Sequence, residues 1–323
     1  MIESTESASG LKSCCIVITT FNRPDLLHWN LLHFRDLIVP EGWSIEILIV
    51  DNHPQMNSKP VFDELAPSHP LHIRYVAESR PGVSYARNRG IDESRARYIA
   101  FIDDDAKVEP PWMVEIAKVL ENDGADVVGC RIVLWWEAVE KPSWFNLRCR
   151  QLLSEKDYGA IIKPVSSRGM VIGIFCARRE IFDRVGHFRT DLGRRENMLL
   201  GGEETEWHSR ALDSGAKYYY CGTAVSHHWV SEQRITPEYL AAVARGGGHS
   251  SLRMDRHTRR ALPFRIACWF VSMGFNAMLF YPLRLIFPQH AGRWINHQIR
   301  FFRLLGKVEG ALSLLFSNTA PHA

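Results

Sequence analysis

Hydrophobic residues in the first third of the chain fall in short runs, continuous or alternating, and each run ends on polar residues. The runs are Cys14–Ile18, Ile45–Val50, Leu71–Val76 and Tyr98–Ile102. Apolar runs of this length predict β-strands, and the longer mixed segments between them predict crossover helices. Strands that alternate with helices predict an α/β fold with parallel strands, in which ligands bind at the carboxyl ends of the strands.

Three consecutive carboxylates, Asp103, Asp104 and Asp105, follow the run Tyr98–Ile102. Adjacent carboxylates repel one another, so a folded protein keeps such a triplet either solvated or bound to a divalent cation. A second interpretation is a helix N-terminus, where Asp is favoured, before Pro110.

Other polar residues are predicted at the same edge of the sheet. Asn22 follows the first strand and is expected to cap a helix whose first turn contains Pro24. Asp51 follows the second strand, and Arg87 lies in the segment after the third.

Several separated motifs together resemble those of the family 2 glycosyltransferases. They are Ile18–Pro24, Asp51 in Val50–Asn52, the Gly-x-x-x-Ala-Arg-Asn-x-Gly pattern of Gly82–Gly90, the Asp-x-Asp of Asp103 and Asp105, Gly201–Trp207, and His228 before Arg234-Ile-Thr236. The resemblance covers roughly residues 14 to 250. It implies an α/β fold of the GT-A type, with a mixed central sheet flanked by helices and a helical C-terminal appendage.

The resemblance also implies an inverting enzyme that uses a nucleotide-diphosphate sugar together with Mg²⁺ or Mn²⁺. A UDP-sugar is preferred because UDP is frequent among relatives. A divalent ion stabilises the negative charge that develops on the departing diphosphate. Asp105 would be the principal metal ligand, with Asp103 and His228 beside it. The residues implied in nucleotide-sugar binding are Thr20, Asn22, Arg23, Asp51, Arg80, Arg87, Asp103 and Asp104.

Inversion needs a general base beside the acceptor hydroxyl. Glu204 stands where the family usually has an Asp, and Glu203 is the alternative base. These residues also suit the first turn of a helix that runs to Asp213 and is closed by Gly215.

Two further features concern the acceptor. Ile174 replaces an Asn common in relatives, which affects contacts to the acceptor or the donor sugar. Trp136 and Trp144 are suited to stacking on sugar faces, and the second resembles a Pro-x-Trp acceptor loop. Core or membrane packing is the alternative role for both.

The composition is that of a globular enzyme. A chain of 323 residues, 46% apolar and 23% charged, can bury one large α/β domain with an appendage. Seven Cys without a Cys-x-x-Cys pair predict a reducing cytoplasm, and the polar N-terminus does not match a secretory signal. We expect a disordered tail over residues 1–12, a catalytic domain over 13–250 and a membrane-associating region over 251–323.

The formal charge of +3 is unevenly distributed. Residues 253–307 carry ten Lys or Arg and one acid, a net +9, which leaves −6 for the rest of the chain. Basic and apolar residues alternate through 253–316, as in a helix that lies on an anionic membrane. Residues 266–283 are borderline for a full crossing, so an interfacial helix is favoured. The alternatives are a helical pair packed on the catalytic domain and a dimer contact.

The interleaving of charge with apolar runs disfavours nucleic-acid binding. Gly246–Gly248 is predicted to be a flexible link after a helical segment.

The sequence therefore predicts an enzyme that transfers a sugar to a glycan or lipid-linked acceptor in cell-surface polysaccharide synthesis. It would be cytoplasmic and peripheral on the inner face of the cell membrane. The alternatives are a catalytically silent nucleotide-sugar or glycan-binding protein and a sugar-phosphate nucleotidyltransferase. The donor sugar, the linkage and the oligomeric state are not specified by these motifs.

Overall fold

A computed structural model describes residues 11–136, 139–166, 173–194, 199–254 and 262–316. The predicted tail over 1–12 lies outside this part of the chain except for its last two residues. The strands are β1 (Lys12–Thr20), β2 (Trp43–Asp51), β3 (His72–Ala77), β4 (Tyr98–Asp103), β5 (Ala106–Val108), β6 (Val127–Trp135), β7 (Ile162–Pro164), β8 (Phe175–Arg178) and β9 (Tyr218–Trp229).

The helices are α1 (Pro24–Phe34), α2 (Lys59–Leu65), α3 (Val83–Glu93), α4 (Trp112–Asn122), α5 (Leu147–Leu152), α6 (Arg179–Val185), α7 (Glu203–Asp213), α8 (Pro237–Met254), α9 (Leu262–Ile286) and α10 (Ile295–Phe316). The chain divides into two compact units. The first comprises residues up to 133, 156–188 and 207–228, and the second comprises 134–155, 189–206 and the residues from 229 onward.

A mixed sheet with the strand order β3-β2-β1-β4-β8-β6-β9-β5 forms the centre of the fold, and β7 pairs with β9. The strands β1 to β4 are parallel, as the alternating pattern predicted. β8 runs antiparallel to β4, and β5 runs antiparallel to β9. The expected α/β fold with a mixed central sheet is confirmed.

Strand register brings the predicted polar residues to one edge. Thr20 pairs with Asp51 across β1 and β2, and Thr19 pairs with Asp103 across β1 and β4. Because these strands are parallel, their carboxyl ends meet at the same edge of the sheet. The register of these three strands therefore places the candidate site residues at one edge of the sheet.

Apolar side chains cover both faces of the sheet. Ile16 and Ile18 belong to one buried cluster and Cys15 and Val17 to the other, so neighbouring residues of β1 serve opposite faces. Parallel strands flanked by helices are buried in this way on both sides. Helix α3 comes especially close, because a Cβ atom at Gly90 would lie 2.4 Å from a methyl group of Val17.

The second unit contains α8, α9 and α10. The glycines predicted to form a link lie instead inside α8, so that prediction is wrong. A Cβ atom at Gly248 would lie 2.1 Å from the carbonyl oxygen of Arg303, and one at Gly306 would lie 1.9 Å from that of Arg245. These glycines are required by the close approach of two helix backbones.

Helix α9 spans the borderline apolar segment. By length and composition alone it could cross a membrane, and only 11% of its most apolar window is buried. Its exposed large side chains are Phe264, Phe270, Val271, Phe275, Met278, Tyr281, Leu285 and Ile286. A contiguous exposed face of this size is typical of a surface that meets a membrane or another molecule.

Candidate active site

Three of the predicted metal ligands lie together in the first unit. Asp103 ends β4, Asp105 lies in the turn after it, and His228 lies near the end of β9. One candidate ligand atom from each lies within 4.8 Å of the others. The antiparallel pairing of Ala106 with His228 brings β9 against this turn.

The Asp triplet does not start a helix. After Asp105 the chain enters β5, and α4 begins only at Trp112. The alternative interpretation of the triplet as a helix N-terminus is therefore wrong.

Arg23 is the cation nearest to the triplet. Its guanidinium lies 2.5 Å from Asp104 and donates to Asp105 at 2.9 Å. Burial opposes the charged form, but Asp104, Asp105 and Asp103 outweigh it and raise the pKa of Arg23. The guanidinium therefore stays charged and holds the first helix against the turn.

Asp104 is completely buried, and burial raises its pKa to about 7. The neighbouring charges of Asp105 and Asp103 act in the same direction, whereas Arg23 lowers it. Desolvation thus exceeds the benefit of one ion pair, as it commonly does for a buried carboxyl group.

The donor set fits a divalent cation of the Mg²⁺ or Mn²⁺ class. Carboxylate oxygens are the ligands that these ions prefer, and an imidazole nitrogen adds a third donor. Nε2 of His228 lies 3.3 Å from Oδ1 of Asp105, and Arg87 lies 3.4 Å from Oδ1 of Asp103. A bound cation would offset the repulsion among the clustered carboxylates.

His227 faces a different environment from its neighbour. Its Nε2 atom lies 3.0 Å from Oε1 of Glu109. Successive side chains of a strand point to opposite faces, so only one of the two histidines can join the cluster. The structure brings His228, the histidine selected from the motif spacing, to the aspartates.

Asp51 is completely buried and organises the loop after β2. Its carboxylate accepts hydrogen bonds from the backbone N–H groups of His53 and Ser58, each at 3.0 Å. It also accepts from the Tyr75 hydroxyl at 2.9 Å. These contacts shape the loop, and nucleobase contact by Asp51 stays a prediction.

Asn52 is a positioning residue that the motifs did not identify. Its amide nitrogen donates to the carbonyl oxygens of Glu78 and Arg80, at 2.8 and 2.7 Å, and its oxygen accepts from the N–H of Gly82 at 2.8 Å. One side chain thus fixes the loop that precedes α3. The only sequence signal is an Asn directly after Asp51, because its partners are distant along the chain.

The two arginines predicted in this region, Arg80 in the loop and Arg87 in α3, differ in their exposure to solvent. Arg80 is exposed, pairs with Glu78 at 2.7 Å and lies over the ring of Tyr85 at 4.8 Å. Arg87 is buried beside Asp103 and lies 5.8 Å from the ring centroid of Phe188. Of these two arginines, Arg87 lies beside the metal-ligand cluster and Arg80 pairs with Glu78 instead.

Asn88, next in the motif, fastens α3 to a distant segment. Its side chain donates to the carbonyl of Phe188 and accepts from the N–H of the same residue, both at 2.9 Å. The Ala-Arg-Asn motif thus combines one residue at the site with one that anchors the helix.

Thr20 and Asn22 lie at the end of β1. Thr20 is buried, opposite Asp51. Asn22 has φ 52° and accepts a hydrogen bond from Asn57 at 2.6 Å. The residue that precedes α1 in the cap position is Arg23, so the prediction that Asn22 caps this helix is wrong. Its left-handed backbone, which Asn tolerates well, turns the chain instead.

The two candidate bases open α7 in the second unit. Glu203 is buried and Glu204 is partly exposed, in a first turn that also contains Glu206. The helix ends at Asp213 and Gly215 follows with φ 84°, as expected from the sequence. Acidic residues also favour a helix N-terminus, so the fold accounts for part of this pattern.

Trp136 and Trp144 are partly buried in the second unit. Their rings lie 5.2 and 5.7 Å from that of Phe145, in edge and tilted arrangements. Both pack against a cluster that includes Leu240 and Trp294. Ile174, the other departure from the family pattern, is buried in the core of the first unit.

Comparison with known proteins finds a matching family model and several related sequences. The model of the family described as glycosyl transferase family 2 matches residues 15–186. The chain is 25% identical over 306 residues to the succinoglycan biosynthesis protein ExoM of Rhizobium meliloti, covering 93% of each. It is 23% identical to the glycosyltransferase AglE of Haloferax volcanii, covering 83% of this chain and 82% of that protein. A glucosyl-dolichyl phosphate glucuronosyltransferase of Haloferax volcanii is 27% identical over 188 residues, or 57% of this chain and 59% of that protein.

Solved structures share the fold. The mannosyltransferase PcManGT of Pyrobaculum calidifontis, determined in complex with GDP-Man and Mn²⁺, superposes with a TM-score of 0.57 at 16% identity. The aligned region covers 92% of this chain and 86% of that structure. The fragment of TarS from S. aureus comprising residues 1–349 gives a TM-score of 0.51 at 11% identity, covering 94% of this chain and 91% of that one.

Proposed function

This chain belongs to glycosyl transferase family 2, and we propose that it is an inverting, metal-dependent enzyme that transfers a sugar from a nucleotide-diphosphate donor, a UDP-sugar, to a glycan or lipid-linked acceptor. The observation that carries the proposal is the cluster of Asp103, Asp105 and His228 at the carboxyl edge of the sheet. The name of ExoM supports a role in polysaccharide synthesis. The name of the dolichyl phosphate relative supports a lipid-linked acceptor.

Asp103, Asp105 and His228 would hold the cation, which when bound neutralises charge on the departing diphosphate. Arg23 keeps Asp105 in place, and Arg87 orients Asp103. The loop fixed by Asn52 and the buried Asp51 shape the place for the nucleoside. Arg80, Thr20, Asn22 and Asp104 complete the proposed donor site.

Glu204 is the proposed general base, with Glu203 as the alternative. Its carboxylate accepts the proton of the acceptor hydroxyl while that oxygen bonds to the anomeric carbon and the bond to the diphosphate breaks. Attack on the face opposite the leaving group inverts the configuration. Trp136 and Trp144 are proposed to contact the acceptor sugar.

We also propose that residues 13–250 form the catalytic part and that 251–323 associates with the cytoplasmic face of the membrane. Support comes from the exposed apolar face of α9 and from the +9 charge of residues 253–307. Each basic residue near an anionic surface contributes about 1 kcal/mol to such binding.

The test is a donor panel of UDP-, GDP-, dTDP- and CMP-sugars, with and without Mn²⁺. Metal-dependent release of UDP from the UDP-sugar, without inorganic pyrophosphate, is the expected result; a CMP-sugar would release CMP instead. Pyrophosphate release in the presence of a nucleoside triphosphate and a sugar phosphate would indicate a nucleotidyltransferase. A rise in melting temperature with a donor, without any release, would indicate a silent binding protein. The GDP-sugar is included in the panel because the structure of PcManGT was determined with GDP-Man.

A further inference from the structure

We propose that a basic pocket between α5, α9 and α10 binds the phosphate or diphosphate group of a lipid-linked acceptor, whose apolar chain lies along the exposed face of α9. This inference rests on the proposed function, because it identifies the class of acceptor. All of the residues concerned belong to the second unit.

The pocket has a volume of about 460 Å³. Its polar lining consists of Arg148 from α5, Ser272 and Asn276 from α9, and Arg300, Arg303 and Lys307 from α10. Ligand pockets typically measure about 300–1,000 Å³, so this one can hold a diphosphate group.

Three cations of α10 lie on the same face of the helix. Arg300, Arg303 and Lys307 are three and four positions apart, which places them on one face, and Arg148 approaches from α5. Like charges at these spacings destabilise a helix, so the arrangement carries a cost that a bound anion would remove. The planar guanidinium group of arginine can donate two parallel hydrogen bonds to the oxygens of a phosphate group.

No carboxylate among the described residues pairs with these four cations, and none lines the pocket. Nearby basic residues outside the pocket do have partners: Arg245 pairs with Glu309, and Arg284 pairs with Glu238 at 2.7 Å. Four cations thus meet in one pocket without a carboxylate among the described residues to neutralise them, and a bound anion would supply the missing negative charge.

The electrostatics of the pocket agree with this geometry. Burial lowers the pKa of Arg148, and the neighbouring Arg300 and Arg303 lower it further. Burial and the charges of Arg303 and Arg265 lower the pKa of Lys307. A phosphate group would reverse both charge effects, because it would supply the missing negative partner.

The apolar stripe begins at the edge of the same pocket. Phe275 lines the pocket and is 60% exposed. Val271 and Met278 extend the stripe one turn in either direction, at 77% and 76% exposure. A ligand that meets both surfaces must carry a phosphate next to a long apolar chain, which is the chemistry of a lipid-linked saccharide.

The polar residues of α9 mark the boundary between the two surfaces. The Asn276 amide donates to the carbonyl of Ser272 at 2.7 Å, and its oxygen lies 3.2 Å from Nδ1 of His297. The second contact joins the pocket side of α9 to α10, and the apolar residues lie on the other, exposed side of α9.

The experiment measures binding of farnesyl diphosphate, farnesol and inorganic diphosphate to the full chain in a neutral detergent, by titration calorimetry. Arg300→Gln/Arg303→Gln removes two charges from the pocket. Lys141→Gln/Arg293→Gln removes two charges from exposed positions elsewhere in the same unit and is the matched control. Arg300→Lys/Arg303→Lys keeps the charge and tests folding, together with the melting temperature.

We expect farnesyl diphosphate to bind more tightly than either of the other probes. The Gln pair should weaken its binding at least about tenfold, the Lys pair should lose less, and the control should change it less than about twofold. Equal losses in the Gln pair and the control would overturn the proposal. So would farnesol or inorganic diphosphate binding as tightly as farnesyl diphosphate.

Vesicles of an ordinary anionic lipid distinguish binding of a lipid diphosphate from binding to any negatively charged membrane. If the Gln pair loses binding to phosphatidylglycerol vesicles but binds farnesyl diphosphate as tightly as the wild type, the two arginines contact ordinary headgroups, against the proposal. Donor hydrolysis by the wild-type protein is assayed separately. Its absence contradicts the proposed function, whereas hydrolysis together with unaltered lipid binding by the Gln pair contradicts only this inference.

Discussion

The Nε2 atom of His228 lies 3.3 Å from the Oδ1 atom of Asp105, although the two residues come from distant parts of the chain. The contact exists because β9 pairs antiparallel with β5, which directly follows the Asp triplet. A divalent cation would be held by a strand end, a turn and a second strand at once.

Removing the charge of Asp105 should abolish metal-dependent nucleotide binding. Asp105→Asn keeps the shape of the side chain but removes an anionic oxygen that a hard cation prefers. The measurement is the shift in melting temperature produced by UDP or GDP with and without Mn²⁺. Unchanged metal-dependent shifts would contradict the assignment, and Asp104→Asn should have the smaller effect because Asp104 is not one of the three clustered ligands.

The neighbouring histidines provide a matched pair for the same site. His228→Gln should weaken Mn²⁺ affinity more than about tenfold, since an imidazole ligand is lost. His227→Gln should leave that affinity within about twofold, because His227 faces Glu109. Mn²⁺ titration followed by electron paramagnetic resonance measures both, and equal effects would show that the cluster does not bind the metal.

Glu204 at the start of α7 is the proposed general base. Glu204→Gln should retain donor binding but reduce the rate of sugar transfer by about 10²- to 10⁴-fold, the usual effect of losing general base catalysis. Glu203→Gln is the comparison, and transfer is followed by release of the nucleoside diphosphate with acceptor present. An active Glu204→Gln beside an inactive Glu203→Gln would move the role to Glu203.

Two adjacent glycines of α8 should respond in opposite directions to alanine. Gly248→Ala places a Cβ atom 2.1 Å from the Arg303 carbonyl oxygen, so it should lower the free energy of unfolding by about 1–3 kcal/mol. Gly247→Ala meets no atom within 4 Å and should raise it by up to about 1 kcal/mol, because alanine is the better helix former. Urea denaturation measures both, and equal effects would contradict the close packing of α8 against α10.

His208 predicts a pH dependence of stability. Burial lowers its pKa to about 3, the Arg87 charge acts in the same direction, and its Nδ1 lies 3.1 Å from the Tyr218 hydroxyl. Below about pH 6.5 the unfolded chain binds a proton that the folded protein does not, so folding is penalised increasingly as the pH falls towards 3. The slope is about 1.4 kcal/mol per pH unit from this group.

The comparison variant is His208→Phe, which cannot titrate. Between pH 6.5 and 5 the wild type should lose about 2 kcal/mol more stability in urea than this variant does. Parallel pH profiles would mean that His208 is charged in the folded protein.

Membrane attachment is tested with the full chain and vesicles containing phosphatidylglycerol. The protein should sediment with them and be released by high salt, because interfacial binding draws on surface charge. Val271→Asp/Leu285→Asp alters two exposed residues of α9 and should abolish sedimentation, whereas Ile38→Asp/Ile161→Asp, in the first unit, should not. A full chain that stays in solution with lipid present would contradict attachment.

The sequence alone determined the parallel half of the sheet and the residues at its carboxyl edge. Strands such as β1 and β4 are continuous apolar runs that end on polar residues, and this local pattern is sufficient to predict them. The family motifs further identified Asp103, Asp105 and His228. Two predictions were wrong, the helix cap at Asn22 and the flexible link at Gly246–Gly248. Each was based on the residue type alone, without knowledge of the residues that it contacts in the fold.

Only the tertiary structure decided the remainder. The pairing of β5 with β9 brings His228 within contact distance of Asp105, and Asn52 fixes its loop through backbone groups that are remote in sequence. Gly248 of α8 allows the close contact with α10, and the α10 cations line a pocket only because α5 and α9 complete it. Local hydrophobic periodicity determines the elements, whereas contacts between distant segments depend on how those elements pack, which no local pattern encodes.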